Sequence, residues 1–256
     1  MKTKSFSVFE LGYEYKEQMQ KALVVRPKKK PAPAVLYLHG YHGSTWSALS
    51  RARALQKGGY VVYVAPLLGL GNSKGVPDFN GPETRAMLAP VIEEMLRDES
   101  IDSARIALWG VGRGAHLAAT LISESHTFKA AVLESGMYDL EKLYSDSQAT
   151  DNTKNILEKE CGADAETLRA RSPIHGVHSI YCPVLLLFEA SDSETHVSQA
   201  QEYAEALERA AVPHETYAIE NTDGDDDINI RKKYVTPFLE SRLHVEKSES
   251  GTEANS

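Results

Sequence analysis

Six short apolar runs, each followed by turn residues and separated by helix-length segments, constrain this chain more than any other feature. They are 34–38 (AVLYL), 60–65 (YVVYVA), 105–109 (RIALW), 130–134 (AAVLE), 184–188 (VLLLF) and 215–219 (ETYAI). Most are continuous rather than alternating, which is the pattern of strands whose two faces are both covered by helices. The intervening segments carry helical periodicity. Residues 47–57 read as a helix stopped by Gly58-Gly59. Met87, Leu88, Val91, Ile92, Met95 and Leu96 recur at helical spacing after Pro82-Glu83, and Pro90 predicts a kink or restart near 89–90. Residues 115–123 and 228–243 suit helices, and Val197, Ala200, Tyr203, Ala204, Leu207 and Ala211 mark a buried helical face. Ahead of all this, 5–10 and 21–26 read as short strands of an edge hairpin, and Lys28 to Pro33 as a turn.

Strand and helix in alternation predict an α/β fold: a mostly parallel, doubly wound sheet of about eight strands with helices on both faces. With 256 residues, one such domain over 1–245 is expected. The more polar segment 137–180 is expected to form a cap or lid over the strand ends, and 246–256 a disordered tail. The competing fold is a Rossmann-like nucleotide domain.

Charge narrows the function classes. The net charge of −8 and the lack of an Arg/Lys stripe argue against nucleic acid and anionic membrane as partners. The start, Met-Lys-Thr-Lys-Ser-Phe, is basic without a continuous apolar run. This sets the expectation of a cytoplasmic protein with neither signal peptide nor transmembrane span. Cys161 and Cys182 make neither a disulfide framework nor a CxxC zinc pair, and Cys182 is expected to be buried. No cofactor is called for. His39 and His42 around a Gly-rich turn would allow a metal pair, and Asp223, Asp225, Asp226 and Asp227 a calcium site. Pocket lining and a solvated acidic loop are the plainer readings, and 223–227 lacks the pattern of an EF-hand loop. His116 is expected to be packed or hydrogen-bonded.

The chemistry-bearing signal is the turn after the third of these runs, Gly110-Val111-Gly112-Arg113-Gly114, which joins strand to small-residue helix. As a dinucleotide fingerprint it closes one residue early and lacks the distant acidic partner. It resembles instead the nucleophile elbow of the α/β-hydrolases, Gly-x-Ser-x-Gly. The nearest resemblance is to prolyl-oligopeptidase-like peptidases and dienelactone-hydrolase-like esterases. Val35 to Gly40 resembles the strand feeding the oxyanion loop, Pro66 to Ser73 the loop that follows the next strand, and Cys182 to Leu187 the approach to the catalytic acid.

The resemblance implies a serine hydrolase and assigns places residue by residue. Gly112 stands at the nucleophile position, Asp192 at the acid position, and Asp223 in the 220–227 loop where the family has its His. The oxyanion donors would be the backbone N–H groups of Tyr41 and Arg113. An elbow glycine supplies no Oγ to attack a carbonyl, and an Asp is a poor base at neutral pH. The expectation is therefore a divergent homologue with a degenerate triad. It would lack serine-hydrolase activity and serve binding or regulation, with a small carbonyl or carboxylate compound, or a protein, as partner. The alternative is an esterase or peptidase acting on a small ester or peptide, through a non-standard site or with its serine exchanged. A base for it could come from His39, His42, His116, His196 or His214.

Overall fold

The computed structural model describes residues 8–190, 194–220 and 225–243, apart from the side chains at 194–196 and 225–232. Eight strands form one sheet: β1 (Val8–Tyr15), β2 (Gln18–Val25), β3 (Ala32–Leu38), β4 (Val61–Ala65), β5 (Ile101–Val111), β6 (Ala130–Glu134), β7 (Val184–Glu189) and β8 (His214–Ile219). Their spatial order is β1-β2-β4-β3-β5-β6-β7-β8. The β1–β2 and β2–β4 pairs are antiparallel and every other pair is parallel. This is the α/β-hydrolase fold expected from the sequence, with the antiparallel hairpin at the sheet edge.

The helices are α1 (Leu49–Lys57), α2 (Pro82–Arg97), α3 (Arg113–Glu124), α4 (Leu140–Ser145), α5 (Asp151–Cys161), α6 (Ala165–Ala170), α7 (Glu194–Arg209) and α8 (Asp225–Leu243), with a 3-10 helix at Pro173–Ser179. Apolar residues of α2, α3 and α7, such as Leu88, Leu117 and Leu207, pack on one face with Leu36, Leu108 and Leu186. Leu55 of α1 and Phe238 and Leu239 of α8 pack on the other, with Val35, Trp109 and Leu185. Strand residues thus alternate between two buried faces, which is why the runs are apolar throughout. A separate small core of Phe79, Leu140, Leu143, Leu157 and Leu168 holds the segment after β6 to the loop before α2.

Two local readings need correction. The hairpin strands run further than 5–10 and 21–26, meeting at a two-residue turn in which Lys16 and Glu17 have φ of 47° and 60°. Positive φ at both turn positions suits the twist of a tight hairpin. The polar residues 11–20 hid this, because β1 is half-solvated. The second concerns Pro90: the helix does not restart there, because the proline sits inside one continuous α2. Ala86 and Pro90 both face solvent, so water can serve the carbonyl that the proline leaves unpaired.

A polar cluster ties β2 to the end of α2. Asp98 accepts from Arg26 Nη2 at 2.6 Å, Tyr63 Oη at 2.7 Å and Ser100 Oγ at 2.6 Å. Burial would raise the Asp98 pKa, but the hydrogen bonds from Ser100, Tyr63 and Arg26 outweigh it and hold it at about 2. A carboxyl depressed in the folded state contributes stability that is complete above its unfolded pKa of about 4 and lost as pH falls through about 2. Asp98→Asn is accordingly expected to cost about 2 kcal/mol at pH 7. In urea melts at pH 7 and pH 3, its deficit relative to the parent should shrink at the lower pH.

Candidate active site

The sheet order locates the site before any side chain is considered. From β3 the chain crosses through α1 to β4 on one side, then returns through α2 to β5 on the other. Ligands in open α/β sheets bind where such crossovers diverge, outside the carboxyl ends of the two strands. Here that crevice lies between Leu38-His39-Gly40-Tyr41 and Val111-Gly112-Arg113. Leu38 pairs with Gly110, so the two tips run out of the sheet at the same level.

The turn between β5 and α3 is dictated by close approach. A Cβ on Gly110 would fall inside van der Waals contact of the Gly114 carbonyl, and one on Gly114 would do the same to the Leu38 carbonyl. Helix and strand can therefore cross this closely only with glycine at both places. Gly112 differs. It has φ 52° and ψ −113°, a conformation that L side chains rarely adopt. Its space is nevertheless open: the nearest atom to a Cβ there would be Gly40 Cα at 3.8 Å. Gly112 N–H donates to Glu134 O at 2.7 Å, and Gly112 O accepts from Ala115 and His116 N–H at 3.0 and 3.1 Å. The N–H groups of Arg113 and Gly114 are left at the first turn of α3, where helix geometry gives them no partner within the helix and the dipole favours negative charge.

Around this turn the side chains form a closed network. The Arg113 guanidinium is stacked 3.7 Å from the Phe79 ring and 5.3 Å from the half-exposed Tyr41 ring. Its Nη1 meets Glu160 Oε2 at 2.7 Å, with side-chain exposures of only 2% and 5%. Phe79 N–H donates to the same Glu160 oxygen at 3.2 Å. Asn80 Nδ2 donates to Arg113 O at 2.8 Å and lies 3.0 Å from His116 Nδ1. His116 Nε2 is 2.9 Å from Arg171 O. A carbonyl can only accept, so Nε2 carries the proton and Nδ1 accepts from Asn80. Burial, with the nearby Arg113 charge, pushes the His116 pKa down to about 3, which keeps this neutral tautomer. Arg171 in turn donates to Asp78 O. His116 is thus spent on structure, as expected from the sequence.

His39 at the tip of β3 is buried, with Nδ1 2.8 Å from Gly40 O and Nε2 unpartnered. Burial lowers its pKa, against the pull of the Gly40 carbonyl. Below the turn, Glu134 is buried at the end of β6 and accepts from Trp109 Nε1 at 3.3 Å, with Arg51 Nη2 4.0 Å away. Cys182 is buried, and burial raises its thiol to about 11.

Of the residues singled out in the sequence, Gly112, Tyr41 and Arg113 come together at this crevice. Asp192 and Asp223 lie outside the described residues, after β7 and β8. Among the described residues no group of three or more His, Cys, Asp or Glu is placed to hold a metal ion, and no helix is long and apolar enough to cross a membrane. Sequence reasoning missed Asn80, Glu160 and Glu134. None carries a local motif, and each reaches the site through sheet order or the packing of the segment after β6.

Comparison with known proteins bears on the family and the fold. The sequence profile of the prolyl oligopeptidase family matches residues 84–224. The chain is 26% identical over 195 residues to an uncharacterized peptidase, YuxL, of Bacillus subtilis, covering 69% of this chain and 28% of that protein. The acylamino-acid-releasing enzyme of Rattus norvegicus is 26% identical over 130 residues, covering 48% of this chain and 18% of the enzyme. The chain therefore spans less than a third of the length of either relative. Among solved structures, the acylaminoacyl peptidase of Pyrococcus horikoshii superposes with a TM-score of 0.78 at 20% identity, over 98% of this chain and 43% of that one. An S-formylglutathione hydrolase from Agrobacterium tumefaciens gives 0.73 at 20% identity, over 95% of this chain and 100% of that one. At such identities these structural likenesses speak for the fold alone.

Proposed function

The chain belongs to the prolyl oligopeptidase family, and from that premise we propose that its elbow binds a small carbonyl or carboxylate compound without forming a covalent serine intermediate. One observation carries this reading: the tip of the strand–helix turn is a glycine, held at φ 52° and ψ −113° over open space. In this reading Gly112 stands where the nucleophile would be, Asp192 at the place of the acid and Asp223 at that of the His. The N–H groups of Arg113 and Tyr41 act as the oxyanion donors, which need neither Ser nor His. The segment 137–180 acts as a cap, anchored through Glu160. The Asp192 and Asp223 carboxylates offer no nucleophile of ordinary strength. Triad enzymes stripped of such members keep a rate on the order of 10³–10⁴ over water, from positioning and oxyanion donors.

The test is a crystal soaked in sodium acetate, paired with p-nitrophenyl acetate turnover. Acetate is expected with an oxygen on the Arg113 and Tyr41 amides, and turnover near background. Acetate bound only elsewhere, or rapid turnover with a burst, would contradict the proposal.

A second reading is a hydrolase of small esters or peptides that works through a non-standard site, or whose serine has been exchanged for Gly112. The relatives, one named as a peptidase and one as an acylamino-acid-releasing enzyme, and the 3.8 Å clearance at Gly112 favour it. Gly112→Ser alone separates the two. The binding reading expects little gain in ester hydrolysis, because 220–227 holds no His to act as base. A gain of several orders of magnitude would establish the second reading and require a histidine from another loop.

A further inference from the structure

The sheet leaves one long edge without a neighbour. β1 is the outermost strand, and its one partner among the described strands is β2. Among the described residues no backbone hydrogen bond outside that pair reaches Val8–Tyr15, so its outward row of N–H and C=O groups is open. Long edges are ordinarily broken by a bulge, a proline or a lysine, because an open row invites another strand. β1 has none of these. Its eight residues, VFELGYEY, pair with β2 in one unbroken register. Phe9, Leu11 and Tyr13 share one face, where Phe9 is 49% exposed. Glu10, Gly12 and Glu14 are exposed on the other.

The charges of this edge fit a second copy of itself. Two such strands related by a twofold axis perpendicular to the sheet run antiparallel and keep each face continuous. Odd-numbered residues then lie opposite odd, and even opposite even. With the axis at Gly12, Glu10 of each copy faces Glu14 of the other, and like charges directly opposite are unfavourable. With the axis at Leu11, Leu11 faces Leu11, Phe9 faces Tyr13, Glu10 faces Gly12 and Val8 faces Glu14. No like charges are then opposed, and the exposed Phe9 ring gains an aromatic partner. The same register aligns a cation. Lys21 of β2 lies opposite Gly12. Beyond that glycine comes Glu10 of the second copy, two strand spacings or about 10 Å from Lys21. No side chain stands between them. Lys21 already bonds its own Glu10 at 2.7 Å on the surface, so two lysines and two glutamates form one alternating cluster across the axis.

We propose that β1 is a homodimer interface: two copies of this chain pair edge to edge, antiparallel and centred on Leu11, so that one sheet runs through both. The interface is independent of the elbow, since β2, β4 and β3 separate β1 from β5. An eight-residue edge is small for an interface, and the dimer is expected to be weak and reversible.

The experiment is sedimentation equilibrium from low micromolar to millimolar concentration on the parent, Gly12→Glu and Gly12→Lys, each also melted thermally. Gly12 is exposed, and a Cβ there would meet nothing nearer than Met19 Cε at 3.5 Å, so both variants are expected to fold. The parent should pass from monomer to dimer over this range. Gly12→Glu places a carboxylate opposite Glu10 twice per dimer and should weaken association about tenfold. Gly12→Lys places an ammonium there and should tighten association severalfold. High salt should narrow the gap between the two variants. A dimer that neither substitution changes would place the interface elsewhere and overturn the assignment. Equal weakening by both would put the axis at Gly12 and overturn the register. A parent that stays monomeric throughout would overturn the proposal and leave the edge to a different partner.

Discussion

Gly110→Ala and Gly114→Ala are each expected to cost about 3 kcal/mol or more, against about 1–2 kcal/mol for Gly112→Ala. The difference follows from what each methyl group meets. At Gly110 and Gly114 it meets backbone, the Gly114 and Leu38 carbonyls, which cannot rotate away as a side chain would. Relief would require α3 to lift off β3 and β5 and would open the core around Ala115, Leu117 and Ala118. At Gly112 the methyl meets nothing nearer than 3.8 Å, and only the backbone conformation at φ 52° resists it. Urea melts of the three variants measure the series. Equal losses at all three positions would mean that the turn is a generic tight crossing rather than an elbow with a free tip.

Glu160→Ala is expected to be comparably damaging, at about 3–5 kcal/mol, the usual cost of leaving a buried charge without its partner. The Arg113 guanidinium would remain between Phe79 and Tyr41, with its Nη1 bond to Glu160 gone and its Nε already unpaired. Phe79 N–H would lose its acceptor at the same time. Glu160→Gln keeps the shape and one acceptor oxygen and should cost less. The double variant Arg113→Met with Glu160→Leu removes both charges and should recover most of the loss. A chemical-denaturation cycle over these variants checks the pair. Additive losses would show that Arg113 and Glu160 do not act on one another.

The sheet was legible in the sequence because both of its faces are buried, so strands such as 34–38 and 184–188 stand out as apolar runs between turns. The hairpin was legible only in part, since β1 faces solvent along much of its length and its residues are mixed in polarity. Pro90 did not force a restart, because its effect depends on which face it occupies, and exposure is a tertiary property. At the site, Gly110 and Gly114 could be read as a framing pair, since close crossings demand glycine. Glu160 could not, being 47 positions from Arg113 and brought to it by α5. Glu134 escaped for a related reason: it ends β6, which only the sheet order places next to β5.

The central claim is that the elbow has no nucleophile, and covalent labelling tests it most directly. Protein expressed from the unmodified gene is incubated with excess fluorophosphonate and its intact mass is measured. A serine activated by a base forms a stoichiometric adduct, whereas an elbow ending in glycine cannot. An unchanged mass is the expected result. A single adduct at one residue, formed in step with loss of any esterase activity, would contradict the claim and identify the nucleophile.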